Sequence, residues 1–344
     1  MLPSILPQKD LFALVRIIQE SRHVVVCAHR GPDGDALGSS LALAEYLQQL
    51  GKSVSIVLPT PFPDFLRWMP GTHAVQFYVH HERQATQVIL SADTIFCLDF
   101  SQPSRLQEMQ GAFMRSRATR VVIDHHLAPD LSMARLVVSC PEMSSTCELL
   151  FRVLLDLGAF ETLSRNAAVC LYTGMMTDTG GFTYNSSRPE IYEIISMLLT
   201  KGIDKDRIYR NVFHVYSTDR LRLTGYVLYE KLQFLAGGKA AYFTLTREEM
   251  QRFRFIRGDA EGLVNMPLQV KGLRLSISLR EDTERDVVRV SLRSVDDFPC
   301  NRMAEEFFNG GGHLNASGGE LPFPLSEAVR TVERAVEAYE SLMQ

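Results

Sequence analysis

HVVVCAHRGPDGDALGSS, residues 23–40, joins an apolar, β-branched run to the start of a helical pattern. The unbroken run HVVVCA suits a strand covered on both faces, as in a parallel sheet with helical crossovers. The turn after it is charged: His29, Asp33 and Asp35 crowd the approach to a helix expected from Leu37 to Leu50. The theme recurs in SVSIVL (53–58), TIFCLD (94–99) and TRVVID (119–124), with further helices expected over 144–157 and 165–177. Asp99 closes the third run, and Asp124, His125 and His126 close the fourth. In open α/β sheets the carboxyl edge of the strands is where ligands bind. The sequence therefore predicts a single polar rim, with Asp178 of TGMMTDTGGF as a further acid.

A chain of 344 residues exceeds a typical single domain, so two cores are expected. From about Pro189 to Leu235 the pattern is helical without strands. Beyond it LRLSISLR (273–280) and VVRVSLRSV (287–295) alternate around the turn EDTERD, as paired strands do. The predicted layout is an α/β domain over 1–200 with a largely parallel sheet, a helical linker over 201–235, and a smaller α+β domain with a mixed sheet over 236–344. Arg289, Ser291 and Arg293 share one face of the second strand, which makes that face cationic.

A net charge of -4 disfavours a nonspecific binder of long or duplex nucleic acid and leaves short anionic ligands open. The amino-terminal MLPSILPQKD has neither a basic region nor a long apolar run, so no membrane partner and a cytoplasmic location are expected. The six cysteines form no C-x-x-C pair and read as structural.

Singly, Asp33 or Asp35 would be explained as a cap of the following helix. Independent caps have no reason to recur at every strand end on one rim, whereas clustered carboxylates and imidazoles suit two divalent cations. Manganese is the natural choice, with magnesium or cobalt as alternatives. A second informative stretch is NGGGHLNASGG (309–319). Gly310, Gly311 and Gly312 would let backbone N–H groups approach an anion in a loop, and His313 would add a side-chain donor. RFRFIRG (252–258) interleaves Phe and Arg, a pattern commoner in amphipathic elements than in base-stacking platforms.

HRGPDGDALGSS, the aspartate of CLDFS, IDHH and TDTGGF, in this order, resemble the motifs of the DHH phosphoesterase family. NGGGHLNASGG resembles the glycine-rich signature of the associated carboxyl-terminal domain, with Asn309 and Ser317 where the family usually has Gly and Ala. Length and layout are most similar to the nanoRNase and pAp-phosphatase branch. The resemblance implies that His29 and Asp33 hold one metal, that Asp35, His125 and Asp178 hold the other, and that Asp99 bridges them. It implies further that Asp124 orients His125, that His126 faces the substrate phosphate or leaving oxygen, and that Arg293 grips a phosphate. Ser39 is expected to cap or to contact phosphate.

The expected activity is hydrolysis of short oligoribonucleotides to mononucleotides, and of 3'-phosphoadenosine 5'-phosphate (pAp) to AMP, in a cleft between the domains. Alternatives are a RecJ-like single-strand exonuclease, a pyrophosphatase or exopolyphosphatase, and a nonhydrolytic nucleotide sensor. A homodimer is compatible with this reading.

Overall fold

The computed structural model describes residues 2–214, 216–256 and 258–343, and the chain divides into two units, Met1–Val215 and Tyr216–Gln344. In the first unit the strands are β1 (His23–Ala28), β2 (Ser53–Leu58), β3 (Gln76–Phe77), β4 (Thr94–Leu98), β5 (Thr119–Asp124) and β6 (Leu136–Ser139). Its helices are α1 (Gln8–Glu20), α2 (Gly34–Gln49), α3 (Glu82–Ser91), α4 (Gln110–Arg115), α5 (Thr146–Asp156), α6 (Arg165–Asp178), α7 (Pro189–Thr200) and α8 (Lys205–Phe213).

The six strands form one parallel sheet in the order β3-β2-β1-β4-β5-β6. Alternation along the strands splits their side chains between two cores. Val24, Val26, Phe96, Leu98, Val121 and Ile123 join the apolar residues of α2, α5 and α6. Val25, Cys27, Ile95, Cys97 and Val122 join those of α3 and α4. Burial on both faces is why these runs read as continuously apolar, and each buried Val, Leu or Phe contributes roughly 1.5–3 kcal/mol. β3 and β6 lie at the sheet edges, and no apolar run in the sequence marks them as strongly as the central four.

The strand order reverses between β1 and β4, because the chain leaves β1 towards β2 and β3 and then returns to the other side of β1. Such a switch point opens a crevice at the carboxyl ends of the two strands. His29 follows β1 directly and Asp99 follows β4, so both arrive at the crevice.

Helix α2 begins at Gly34, not at Leu37, so Asp33 is its N-cap and Asp35 lies within its first turn. Helices α2 and α6 cross closely. A Cβ at Gly38 would lie 2.5 Å from the Cys170 carbonyl of α6, and one at Gly174 would lie 3.1 Å from Asp35 Cα of α2 and 2.2 Å from Cys147 Sγ of α5. Glycine at these positions is what allows Asp35 on α2 and Asp178 at the end of α6 to share one neighbourhood.

The second unit contains α9 (Thr218–Tyr226), β7 (Gln233–Leu235), β8 (Ala240–Leu245), α10 (Arg247–Arg252), β9 (Leu275–Glu281), β10 (Val287–Ser294), α11 (Cys300–Phe307), β11 (Gly311–His313), β12 (Ala316–Pro322) and α12 (Leu325–Tyr339). Its sheet, in the order β11-β12-β10-β9-β8-β7, is mixed, since β8 and β9 run parallel and the other pairs antiparallel. One face carries Leu275, Ile277, Val288, Val290 and Leu292 against α11 and α12. The stretch expected as a linker is divided between the units: Ile208 and Val212 of α8 pack in the first core, and Leu223 of α9 with Val227 in a cluster of the second. Phe253 and Phe255 pack at the edge of that same cluster, as an amphipathic element would, while Arg257 of the same stretch lies outside the described residues. Among the described residues no helix is long and apolar enough to cross a membrane.

Candidate metal centre

At the switch point the structure brings together every residue expected as a metal ligand. Three groups have ligand atoms within 4.8 Å of one another: His29 with Asp33 and Asp99, Asp35 with His125 and Asp178, and Asp99 with His125 and His126. Asp99 stands between the sets. Its Oδ2 lies 3.2 Å from His29 Nε2, and its Oδ1 lies 3.7 Å from His125 Nε2. The Asp99 backbone has φ 63°, in the left-handed region that a short polar side chain tolerates better than most. Asp178 Oδ2 lies 3.5 Å from His125 Nε2 and closes the second set.

The expectation of a cap at Asp33 also holds. Its Oδ1 accepts from the amides of Asp35 and Ala36, both at 3.0 Å, and the same carboxylate takes part in the His29 group. Asp35 is wholly enclosed. Its oxygens accept from the Thr146 amide at 2.6 Å and the Cys147 amide at 2.8 Å, the first two N–H groups of α5, so a helix N-terminus holds the carboxylate. Thr146 Oγ1 donates to Asp99 Oδ1 at 2.9 Å. Nothing in the motif pattern singles out Thr146 and Cys147, although SSTCE (144–148) carries the Ser-x-x-Glu signature of a helix start.

Burial would push the His29 imidazolium down, but the hydrogen bond and charge of Asp99, with the charge of Asp33, raise its pKa to about 9. Burial likewise opposes charge on Asp99, yet His29, His126 and His125 hold it well below the usual carboxylate range. Burial and the charge of Asp99 push Asp35 up to about 7. Asp178 is driven well above its ordinary value by burial and by Asp35, Asp33 and Asp99. Carboxylates that raise one another in this way would be relieved by a cation.

The imidazoles are oriented to match. His29 Nδ1 donates to the Arg30 carbonyl at 3.0 Å and His125 Nδ1 to the Met143 carbonyl at 3.2 Å, so each ring turns Nε2 towards the acids. The donor set, oxygen and imidazole together, fits a divalent transition-metal site.

Two expectations are corrected. Asp124 does not orient His125: its Oδ1 lies 2.8 Å from His126 Nδ1, while His125 uses the Met143 carbonyl. β5 ends at Asp124, so both imidazoles lie beyond the strand with ring centroids 4.9 Å apart, and it is the His126 ring whose Nδ1 meets the Asp124 carboxylate. Asp124 is fully buried, and its Oδ2 has no hydrogen-bond partner among the described residues. Ser39 makes no site contact of the expected kind, because its Oγ is buried within α2 and donates to the Asp35 carbonyl at 2.7 Å.

In the second unit the glycine-rich segment is no open loop. Gly311–His313 form the edge strand β11, paired with β12. A Cβ at Gly310 would lie 1.8 Å from the Gly318 carbonyl and one at Gly312 2.6 Å from that of Ala316, so these glycines permit close strand packing. The register places Ser276, Arg293, Ala316 and His313 in one row across four strands, hence on one face. Arg293 Nη1 donates to the Leu292 carbonyl at 2.8 Å. Arg289 is committed to Asp282 and Glu320, and Arg274 to Asp296 and Asp297.

A doubly wound parallel sheet with an acid and imidazole cluster at its switch point, followed by a smaller mixed-sheet unit, defines a two-unit α/β protein with a candidate divalent-metal centre. A model of the DHH family, N-terminal domain, matches residues 23–175. The crystal structure of an exopolyphosphatase-related protein from Bacteroides fragilis is 48% identical, covers 99% of each chain and superposes with a TM-score of 0.95. The bifunctional oligoribonuclease and PAP phosphatase NrnA of Thermus thermophilus is 29% identical over 96% of this chain and 95% of its own. RecJ from Thermus thermophilus, solved with Mn2+, shares the fold at 16% identity and a TM-score of 0.53, over 98% of this chain and 56% of its own. The chain belongs to the DHH family.

Proposed function

We propose that the protein is a two-metal phosphoesterase that hydrolyses short oligoribonucleotides to mononucleotides and pAp to AMP. The observation that carries this reading is Asp99, whose two oxygens face two different ligand sets. His29 and Asp33 would hold one cation, Asp35, His125 and Asp178 the other, and Asp99 both; Mn2+ suits the mixture of carboxylate and imidazole donors best. Two such cations, when bound, supply a water acidified towards neutral pH and neutralise charge on the phosphoryl oxygens.

The remaining steps belong to the chain. Burial lowers the pKa of His126, but the hydrogen bond to Asp124 and the charge of Asp99 outweigh it and raise the value above that of free imidazole. Asp124 thus fixes a proton at His126 Nδ1 and favours the imidazolium, whose Nε2–H then donates to a phosphoryl oxygen or to the departing ribose oxygen. Neither step needs a nucleophilic side chain. On the second unit, the row of Arg293 and His313 is assigned to a second phosphate of the substrate, which a guanidinium holds bidentately. Gly311 and Gly312 precede His313 on the edge strand β11.

The substrate class is supported by similarity to NrnA proteins along nearly the whole chain, including that of Bacillus subtilis at 24% identity over 90% of this chain. The exopolyphosphatase-related relative makes polyphosphate the reading to exclude. A product time course with Mn2+ on a diribonucleotide, a five-mer, a long single strand, pAp, pyrophosphate and polyphosphate is the direct test. Mononucleotides from the two short RNAs and AMP from pAp are expected; release of phosphate from polyphosphate alone would overturn the proposal.

A further inference from the structure

We propose that Glu148 is a positioning residue for the candidate metal centre and acts on His125 through the Met143–Ser144 peptide group. The inference rests on the reading of His125 as a metal ligand. His125 Nδ1 donates to the Met143 carbonyl at 3.2 Å. The amide N–H of the same peptide group, carried by Ser144, donates to Glu148 Oε2 at 2.8 Å. A carboxylate is therefore joined to a ligand imidazole by a single peptide unit. In many metal sites a carboxylate accepts directly from the ligand histidine and fixes its tautomer. Here the peptide transmits that influence: a charged acceptor on its N–H polarises the C=O, which becomes a stronger acceptor for His125 Nδ1–H. With Nδ1 committed as the donor, Nε2 is the ring nitrogen turned towards Asp99 and Asp178 and the one that would ligate a cation.

Glu148 is wholly buried on the first turn of α5, where a lone carboxylate would be strongly disfavoured. Arg152 Nη2 at 2.9 Å and Arg188 Nη2 at 2.6 Å pair with it, and Ser144 Oγ adds a bond at 2.7 Å. Ser145 caps the helix by accepting from the Glu148 amide, which leaves the Glu148 side chain available for the Ser144 amide. The turn of α5 that carries Glu148 also presents the Thr146 and Cys147 amides to Asp35. One helix start thus positions two ligands of the same set. It meets the His29 and Asp33 set through the shared Asp99, by way of Thr146 Oγ1.

The test is a Mn2+ titration followed by the electron paramagnetic resonance of free ion, on the full chain with folding checked by circular dichroism. Wild type is expected to show two classes of site, and Asp178→Asn identifies the class that contains His125. Glu148→Gln should weaken that class by about 10–100-fold and leave the other within about two-fold. Should Glu148→Gln fail to fold, replacement of the Ser144 amide nitrogen by an ester oxygen removes the same N–H and retains Glu148; it should weaken the same class. Equal weakening of both classes, or unchanged affinity in a folded variant, overturns the relay while the metal reading stands. Absence of any Mn2+ binding by wild type instead defeats the metal reading itself.

Discussion

The carboxyl edge of the first sheet and the glycine-rich edge of the second treat charge in opposite ways. At the first, Asp35, Asp99, His29 and His125 are buried while Asp33 and Asp178 reach the surface, and the crowded carboxylates push Asp35 and Asp178 to resist ionisation, so the cluster is set up to receive cations. Beside the second, on β10, partly exposed arginines are neutralised by neighbouring acids, as Arg289 is by Asp282 and Glu320. The burial at the first edge raises the cost of unmatched charge, and with it the strength of any cation that matches it. Arg293 is partly exposed and His313 exposed, so a phosphate held there would gain less from each contact.

The contrast is most easily broken at Asp99. Asp99→Ala should reduce hydrolysis of a diribonucleotide on the order of a thousand-fold, about 4 kcal/mol at the barrier, in a protein that remains folded. Undiminished turnover would remove the bridging role.

Divalent cations should stabilise the metal-free protein by about 3 kcal/mol at a hundred-fold excess over Kd, read as a rise in Tm. The pH dependence has a definite sign. Asp35, raised to about 7, binds a proton more tightly in the folded state, so its contribution is fully present below the unfolded carboxylate range and is lost as pH rises towards 7. The cation-induced rise in Tm should therefore be larger at pH 8 than at pH 5. An equal rise at both would mean that protons and cations do not compete at this centre.

Asp124→Asn tests the corrected pairing. It should lower kcat about a hundred-fold, near 2.7 kcal/mol, with Mn2+ affinity retained, because the partner lost belongs to His126. Loss of metal affinity with kcat preserved would return Asp124 to His125.

The smallest effect is expected at the second edge. Arg293→Ala should raise KM for a diribonucleotide about ten-fold, or 1.4 kcal/mol, and leave a small chromogenic phosphodiester nearly unaffected. Equal changes on both substrates would separate Arg293 from the second phosphate.

Much of the fold is legible in the residues alone. β1, β2 and β5 have the bounds that HVVVCA, SVSIVL and TRVVID set, since strands buried on both faces must be apolar throughout. β3, at two residues, is too short for any periodicity. β11 and β12 are hidden because their glycines depress the usual strand signal, while the same glycines allow the chains to pack closely. Adjacency within DHH suggests that Asp124 serves the neighbouring ring, but the path of the chain beyond the end of β5 brings His126 Nδ1 to it instead.

By itself the sequence determined the kinds of atom at the centre and the strand ends that deliver them, because residue type fixes donor chemistry and apolar periodicity fixes the elements. Only the tertiary structure decided three of the pairings: Asp35 on the amides of α5, Asp124 on His126, and Glu148 behind the Met143–Ser144 peptide. Those pairings join residues up to 112 positions apart. They arise from strand order and helix crossing, where a few ångströms at Gly38 and Gly174 decide which side chains meet.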